Sequence, residues 1–191
     1  MCNDYRSHLS ADQIATAFSE TRFPLRFDGG AIPNLQPRDD IRIGETAPIV
    51  TNTENGPQLR QMTWAWKGPG GKPVFNFRSE GRSFANSDRC LIPADGFYEF
   101  TDAESGQKRK TKWRFTMAEE PWFWVAGLVK NDAWAMLTTE PGPDIAPYHD
   151  RQIVLLCRDQ AMDWLDMTRS ESELLIPAPA GSLSVEKVFP A

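Results

Sequence analysis

The sequence predicts a mainly β protein of the α+β class, with an antiparallel, barrel-like β core and a few peripheral helices. From residue 46 onward, short runs rich in β-branched and aromatic residues follow one another, and turn residues separate them. Helical patterns are short and lie near the two ends, and the chain has no internal repeat and no low-complexity tract. A length of 191 residues fits a single domain over residues 1–191.

The first predicted element is a helix over Ser10–Glu20. Ser10 and Gln13 have the spacing of a capping box, and Ile14 begins an apolar face. Residues 21–45 are rich in Pro and Gly and have no clear period. We interpret them as a long ordered loop, a kind of segment that often carries function.

Strands are predicted over most of the remaining chain. The runs are Ala47–Thr51, Met62–Trp66, Arg89–Ile92, Gly96–Thr101, Lys112–Met117, Trp122–Val129, Trp134–Thr139 and Gln152–Cys157. Two short helices follow, one over Asp159–Met167 and one that begins at Ser170, where Glu173 has capping-box spacing. A last strand is expected at Ser184–Phe189.

Composition excludes several classes of protein. The chain has no run of 18 apolar residues and no apolar segment near its N-terminus, so we expect neither a transmembrane helix nor a signal peptide. Three cysteines do not suggest a disulfide framework and fit a reducing cytosol. With two histidines and no CxxC pair, we expect no metal and no other cofactor. The net charge of −5 counts against nucleic acid as a partner unless a local basic groove can be named.

Cys2 follows the initiator methionine and is a candidate reactive residue. Because cysteine is small, Met1 is expected to be removable, which would leave an α-amine and a thiol on one residue. The amine (pKa roughly 8) can attack an aldehyde to form a Schiff base, and the thiol (pKa about 8.5) can then close a thiazolidine ring. From position alone, an incidental cysteine is the more frequent explanation. A retained Met1 would block this chemistry.

Asn76 and Arg78 form a second candidate pair. If the segment Val74–Glu80 is extended, both side chains project to the same face and present an amide beside a guanidinium. Arginine is suited to bidentate phosphate binding. Taken alone, the pattern more often marks the solvated face of an amphipathic strand.

Two titratable residues could take part in proton transfer. Glu99 lies between Tyr98 and Phe100, where desolvation would raise the pKa of a carboxyl group and suit it to acid–base work. His149 lies between a Pro-rich loop and an apolar strand and is placed to titrate at a site. A surface Glu and a hydrogen-bonded structural His explain the two patterns equally well.

Seven tryptophans and several basic residues are candidates for a DNA groove. Most of the tryptophans are interpreted as core, because they lie in alternating β runs. The run Lys108–Lys112 is interpreted as a solvated hairpin tip. Cys90 and Cys157 are interpreted as small buried residues. The basic candidates are Arg22, Arg26, Arg38, Arg42, Lys67, Lys72, Arg78 and Arg82.

These pieces together resemble the SOS response-associated peptidase (SRAP) family, whose members include proteins that crosslink to abasic sites. The match covers residue 1 to about 157, and the block CLIPADGFYE is long and specific. The segments that carry the resemblance are Met1-Cys2, Asn76-x-Arg78-x-Glu80, Arg89–Glu99, Ala126-Gly127-Leu128, His149-Asp150-Arg151, Pro33-Asn34, Pro37-Arg38 and Thr138-Thr139.

The resemblance implies the family's β-rich fold with a positively charged DNA cleft and a role for each matching residue. Cys2 would bond to the ring-opened sugar, Asn76 would position the N-terminus, and Arg78 would hold a phosphate. Glu99 would act as the acid–base group, and His149 would move a proton near the sugar hydroxyl. The further DNA-binding residues are expected to be Arg38, Trp64, Trp66, Lys67, Arg82 and Arg151.

Two departures from the family pattern concern the DNA-binding surface. The family begins Cys-Gly-Arg-Phe, whereas this chain has Cys2-Asn3-Asp4-Tyr5, so that an acid replaces a phosphate-binding Arg. Arg6 is one possible substitute. The second departure is Trp64-Ala65-Trp66-Lys67, where the family commonly has Trp-Gly-Leu.

The leading hypothesis is a DNA-repair protein of the bacterial cytosol or nucleoid that crosslinks through Cys2 to abasic sites in single-stranded DNA during the DNA damage response. It would act as a monomer without metal or membrane, with lyase-type and autopeptidase activities. One alternative is a cysteine peptidase or amidase with Cys2 as nucleophile and His149 as base, acting on peptides or on its own Met1 alone. Another is a diverged member that binds DNA without reacting.

Overall fold

The helices and strands are taken from a computed structural model, which describes residues 2–19, 21 and 23–189. The helices are α1 Ala11–Thr16, α2 Ala161–Asp166 and α3 Glu171–Leu174. The strands are β1 Asp4–Ser7, β2 Arg26–Phe27, β3 Arg38–Arg42, β4 Thr46–Thr53, β5 Gly56–Trp64, β6 Trp66–Lys67, β7 Pro73–Val74, β8 Asn76–Arg78, β9 Asp88–Ala94, β10 Gly96–Thr101, β11 Thr111–Met117, β12 Phe123–Lys130, β13 Ala133–Thr139, β14 Gln152–Ile153, β15 Leu155–Leu156 and β16 Leu183–Phe189.

The larger sheet closes on itself. Its strands pair in the order β14-β13-β12-β9-β4-β5-β2, and β13 also pairs in parallel with β5, where Trp134 lies opposite Trp64. Five strands, β5, β4, β9, β12 and β13, therefore form a ring. Further along β13, β8 pairs in parallel on the same side, with Asn76 opposite Met136. The predicted mainly β, barrel-like fold is confirmed.

The smaller sheet contains the N-terminal strand at an interior position. Its order is β16-β11-β10-β1-β3, so that β1 pairs with β10 on one side and with β3 on the other. Tyr5 lies opposite both Phe97 and Ile41. The ring of Tyr5 is fully buried and meets the edges of Trp64 and Trp134 at centroid distances of 5.4 and 6.1 Å. This contact packs the smaller sheet against the ring of strands formed by the larger sheet.

Most of the tryptophans belong to the core, as predicted. Trp64 and Trp134 stack at 5.2 Å between centroids. Cys90 is fully buried, but the interpretation of Cys157 as a buried residue is wrong, because it is exposed at the start of a 3-10 turn. The buried tryptophans are Trp64, Trp66, Trp122, Trp124, Trp134 and Trp164.

The helix starts follow the predicted capping boxes. The side chain and backbone of Ser10 exchange hydrogen bonds with Gln13, and Ser170 does the same with Glu173. Helix α1 ends at Thr16, earlier than expected, and the predicted end at Glu20 lies outside the described residues. Arg22 also lies outside them.

The interpretation of residues 21–45 as a loop is wrong, because the segment contains β2 and β3. The sequence of β3 is RDDIR, in which only Ile41 is buried. As the edge strand of the smaller sheet, β3 keeps charged side chains in water and shows almost no apolar alternation. In the described part of the chain, no helix is long and apolar enough to cross a membrane.

Ala65, the residue that stands in place of the family's Gly, has a backbone conformation that favours glycine. Its φ is +91°, between the end of β5 and the start of β6, and its N–H donates to the carbonyl of Trp134 at 2.8 Å. A Cβ atom is strained in this region. Ala65 therefore reduces the stability of the turn that joins the core Trp64 to Trp66.

We predict that Ala65→Gly raises the free energy of unfolding by about 1 kcal/mol, because it removes this strain. Ala126→Gly is the matched control, since Ala126 is fully buried within β12, and that change should lower stability. Urea unfolding of the three proteins measures both effects. Equal destabilisation by the two substitutions would contradict the prediction.

Candidate active site around Cys2

Cys2 lies two residues before the start of β1. The residue is 1 % exposed, and its Sγ donates to the carbonyl of Asp4 at 3.3 Å. Asn76 Nδ2 donates to the carbonyl of Cys2 at 2.7 Å. Burial raises the pKa of the Cys2 thiol well above its usual range, and the nearby charge of Glu99 adds to this. The thiol is therefore held in its neutral form.

Asn76 and Arg78 occupy β8, and the expectation that this segment is extended is confirmed. The strand's alternation places the two side chains on one face, and Arg78 is exposed there. Asn76 Oδ1 is buried and accepts no hydrogen bond from any described residue. A buried acceptor without a donor is costly, so this oxygen is available for a group that binds at the site.

Glu99 is presented by β10. Continuing the register in which Tyr5 faces Phe97 and Arg6 faces Gly96 places Asn3 opposite Glu99. The carboxyl group is 1 % exposed, and burial raises its pKa to about 7, with the charge of Asp150 adding to the effect. The upward shift of the Glu99 pKa that the sequence predicted is thus present.

His149 is held in place by a turn and by aromatic packing. The backbone N–H of His149 donates to the carbonyl of Ile145 at 3.0 Å. The preceding Tyr148 packs against Trp113 and Phe115 of β11, at centroid distances of 4.9 and 5.2 Å. These contacts place His149 Nε2 3.9 Å from the Oε2 atom of Glu99.

The proton on His149 is directed by its neighbours. The backbone N–H of Arg151 donates to Nδ1 at 3.0 Å, so the neutral ring carries its proton on Nε2, towards Glu99. The carboxylate of Asp150 lies 2.9 Å from the same Nδ1 and can accept a proton from it when the ring is charged. Burial lowers the pKa of His149, which favours the neutral ring.

Arg151 joins two parts of the site. Its guanidinium donates to both oxygens of Glu80, at 2.5 and 2.8 Å, and to Thr138 Oγ1 at 3.0 Å. The bond from Arg151 holds the pKa of Glu80 below its usual range. Because Glu80 follows β8 and Arg151 follows His149, this ion pair fixes the Asn76 strand relative to the His149 loop. A guanidinium committed in this way is not free for a phosphate.

Asp4 is tied into an ion-pair cluster on the outer face of the smaller sheet. Lys112 Nζ lies 2.8 Å from Asp4 Oδ2, also contacts the carboxylate of Asp40, and sits 3.7 Å above the ring of Tyr98. Burial raises the pKa of Asp4 to about 6. Arg6, proposed as a substitute for the family's Arg, is instead bonded to the side chain and carbonyl of Asp95.

The interpretation of the basic run Lys108–Lys112 as a solvated tip is confirmed for Lys108, Arg109 and Lys110, which are exposed, and is wrong for the last two residues. Thr111 is buried, because β11 begins there, and Lys112 lies inside the ion-pair cluster. Lys110 lines a depression of about 390 Å³ together with Asn3, Glu99, Phe100 and His149. Sequence reasoning missed Lys110. The hairpin pairing of β10 with β11, which returns the run to Glu99, was the signal available.

The remaining expected DNA-binding residues are not gathered at Cys2. Trp64 is fully buried and has no face free for a base. Arg38 lies opposite Ser7, at the far end of β1, and pairs with Glu45 at 2.8 Å. Trp66, Lys67 and Arg82 line a separate groove of about 800 Å³, together with Phe77 and Lys130. Since Phe77 alternates with Asn76 and Arg78, this groove lies on the other face of β8.

No metal site is evident in residues 2–19, 21 and 23–189, where no three His, Cys, Asp or Glu side chains converge. The arrangement around Cys2 instead combines a neutral thiol, a carboxyl group that titrates near neutrality, a neutral imidazole and an open amide acceptor. These groups can move protons during addition to a carbonyl carbon.

Solved structures share this fold. A protein from Bordetella bronchiseptica is 23 % identical, with a TM-score of 0.72 over 98 % of this chain and 99 % of its own. A protein from Bacteroides thetaiotaomicron is 16 % identical, with a TM-score of 0.74 over 99 % of this chain and 93 % of its own.

Curated relatives match at similar identity. Abasic site processing protein YoaM of Bacillus subtilis is 26 % identical over 98 % of this chain and 91 % of its own length. Abasic site processing protein YoqW of the same organism is 25 % identical over 92 % of this chain and 84 % of its own length. The model of the SOS response associated peptidase (SRAP) family matches residues 1–191, and the chain belongs to this family.

Proposed function

We propose that this protein processes abasic sites by bonding covalently, through Cys2, to the aldehyde of an abasic site in single-stranded DNA. The observation that carries the proposal is the position of Cys2, which is buried beside Glu99 and bonded to Asn76, with His149 next to Glu99. The names of the curated relatives, abasic site processing proteins, support the same substrate.

The proposed reaction needs no cofactor. After loss of Met1, the α-amine of Cys2 adds to the C1′ aldehyde of the ring-opened sugar, and water leaves to give an imine. The Sγ atom then adds to the imine carbon, its proton passes to the nitrogen, and a thiazolidine results with the net loss of one water. We propose that the protein also removes its own Met1.

Glu99 is proposed as the acid–base group of these steps. A carboxyl group with a pKa of about 7 is present in both forms near neutral pH. It can accept a proton from the α-amine nitrogen once that nitrogen has added to the aldehyde, and can then return the proton to the departing hydroxyl group. His149, with its proton on Nε2, would donate to the sugar oxygen during ring opening.

Binding is proposed to involve both faces of β8. Asn76 Oδ1 would accept a hydrogen bond from the free α-amine or a sugar hydroxyl, and the exposed Arg78 would bind a phosphate. The groove lined by Trp66, Lys67 and Arg82 would hold a more distant part of the strand through the charges of Lys67 and Arg82. This path does not include Trp64, Arg38 or Arg151. The ring of Trp64 is buried, and the guanidinium groups of Arg38 and Arg151 are paired with carboxylates of the protein.

A cysteine peptidase acting through the Cys2 thiolate is disfavoured by the same contacts. Thiolate attack requires a lowered thiol pKa, whereas burial raises the pKa of Cys2. The Nδ1 atom of His149 lies beside Asp150 and its Nε2 atom beside Glu99, so both ring nitrogens are next to carboxyl groups. Chemistry that starts at the amine does not need the thiolate.

We predict that Cys2→Ala abolishes the stable crosslink to an oligonucleotide containing one abasic site. The variant keeps the α-amine but lacks the thiol that closes the thiazolidine ring, and an imine alone hydrolyses on denaturation. A denaturing gel measures the slower-migrating species. Cys157→Ala is the control, since Cys157 is an exposed free cysteine elsewhere on the protein and its loss should change nothing. A crosslink that survives Cys2→Ala would refute the proposal.

Glu99→Gln should slow crosslinking roughly 100-fold, the usual contribution of a positioned acid–base group. The wild-type rate should rise with pH through an inflection near 7, because the carboxylate is the form that accepts the proton. This inflection should be absent from the variant, while the rise through the amine pKa remains in both. Rates from quenched time courses at pH 5–9 test this, and superimposable profiles would exclude the role.

Glu99→Gln should also stabilise the fold at high pH. Because the folded pKa of Glu99 is raised, folding favours the protonated form, and this contribution is lost as pH rises through about 7. At pH 8 the variant should exceed the wild type in unfolding free energy by up to ~3 kcal/mol, and at pH 4 the difference should vanish. Urea unfolding at both pH values measures it; a constant difference would contradict the shift.

A further inference from the structure

Two shallow depressions meet beside the start of β1. The first, of about 390 Å³, includes Glu99, His149 and Lys110. The second, of about 340 Å³, includes Arg42 and Arg109. Because Asn3 and Phe100 line both, the two form a continuous trough that leads away from the reacting residues across the β10–β11 hairpin. We refer to the surface formed by Arg42, Arg109 and Lys110 as the hairpin-side rim.

The charged side chains along this trough differ in whether they are free to bind a phosphate. The ammonium of Lys112 contacts the carboxylates of both Asp4 and Asp40, so it offsets one of their two negative charges. Lys110 is exposed and has no ion pair with any described residue, and Arg42, with a side chain 68 % exposed, comes within only 3.8 Å of Asp40. The guanidinium of Arg109 rests 4.5 Å from the ring of Phe189. The net potential of the hairpin-side rim is therefore positive, although an acid occupies position 4.

The rim lies on the opposite side of Cys2 from Arg78. Asn76 reaches the carbonyl of Cys2 from β8, whereas Asn3 lies next to Glu99 and Lys110 on the β10 side. A sugar bonded to Cys2 would thus have Arg78 on one side and Lys110 on the other. An abasic nucleotide within a strand carries a phosphate on each side of its sugar, which matches this pair of cations.

We propose that Lys110, supported by Arg42 and Arg109, binds the phosphate on the hairpin side of the reacting sugar. Lys110 would thus serve in place of the basic residue that this chain lacks at position 4. This proposal rests on the proposed function and adds the direction in which the strand leaves the site. Lysine is a point-charge phosphate ligand on a flexible stem, so it can follow the sugar through ring opening. Asp4 then acts through Lys112 in packing and does not meet the phosphate.

The test separates binding from reaction. The probe is a single-stranded oligonucleotide with a tetrahydrofuran abasic analogue, which has no aldehyde, and its affinity is measured by fluorescence anisotropy at several salt concentrations. Each phosphate contact on a single strand contributes about 0.7 to the slope of log K against log salt. Lys110→Gln should weaken binding several-fold and reduce this slope by about 0.7.

Lys108→Gln is the matched control, because Lys108 is exposed on the same hairpin but lines neither depression. It should leave both affinity and slope unchanged, and unchanged melting temperatures would show that both variants fold. An equal effect of the two substitutions, an unchanged slope in Lys110→Gln, or no measurable binding by the wild type would each overturn the proposal.

The two proposals can fail separately. If the wild type crosslinks a true abasic oligonucleotide but Lys110→Gln binds the analogue like the wild type, only the phosphate contact is wrong. If the slope falls as expected but no crosslink forms with the wild type, the contact stands and the covalent chemistry is wrong.

Discussion

The pairing of β1 with β10 and β3 is the constraint on which the candidate site depends. Chain termini are usually poorly ordered, whereas here the strand is bonded on both sides and anchored by the buried ring of Tyr5. This pairing brings Cys2 to Asn76 and Asn3 to Glu99. A weakened β1 would therefore separate the groups of the site before it disturbed the ring of strands behind them.

Burial has one consistent effect on the titratable groups of the site, which is to favour their neutral forms. It raises the pKa of the Cys2 thiol and of Glu99 and lowers that of His149. Such groups transfer protons without strongly attracting ions. In the proposed function, recognition of an anionic strand falls to exposed cations such as Arg78 and Lys110, which would allow a chain of net charge −5 to bind an anionic substrate.

Local patterns predicted local structure well but did not decide which way each side chain at the site faces. The capping boxes at Ser10 and Ser170 depend on residues three apart, and both are present. The strand β3 was missed because its charged sequence lacks alternation, and only pairing with β1 makes it a strand. Trp64 and Lys110 show the same limit at the site. Whether a ring faces the core or a lysine faces a carboxyl group is decided by contacts distant in sequence, such as the stacking on Trp134 and the return of β11 along β10.

The interior position of β1 has a mechanical consequence. DNA joined at Cys2 would be attached two residues before a strand that has a neighbour on each side. A motor that pulled on that DNA along the strand axis would load the hydrogen bonds to β10 and β3 together, in shear, instead of opening them one at a time as at a free edge. The hydrogen bonds on both sides of β1 would then have to break together, so the smaller sheet would have to unfold before the protein could be pulled off the DNA.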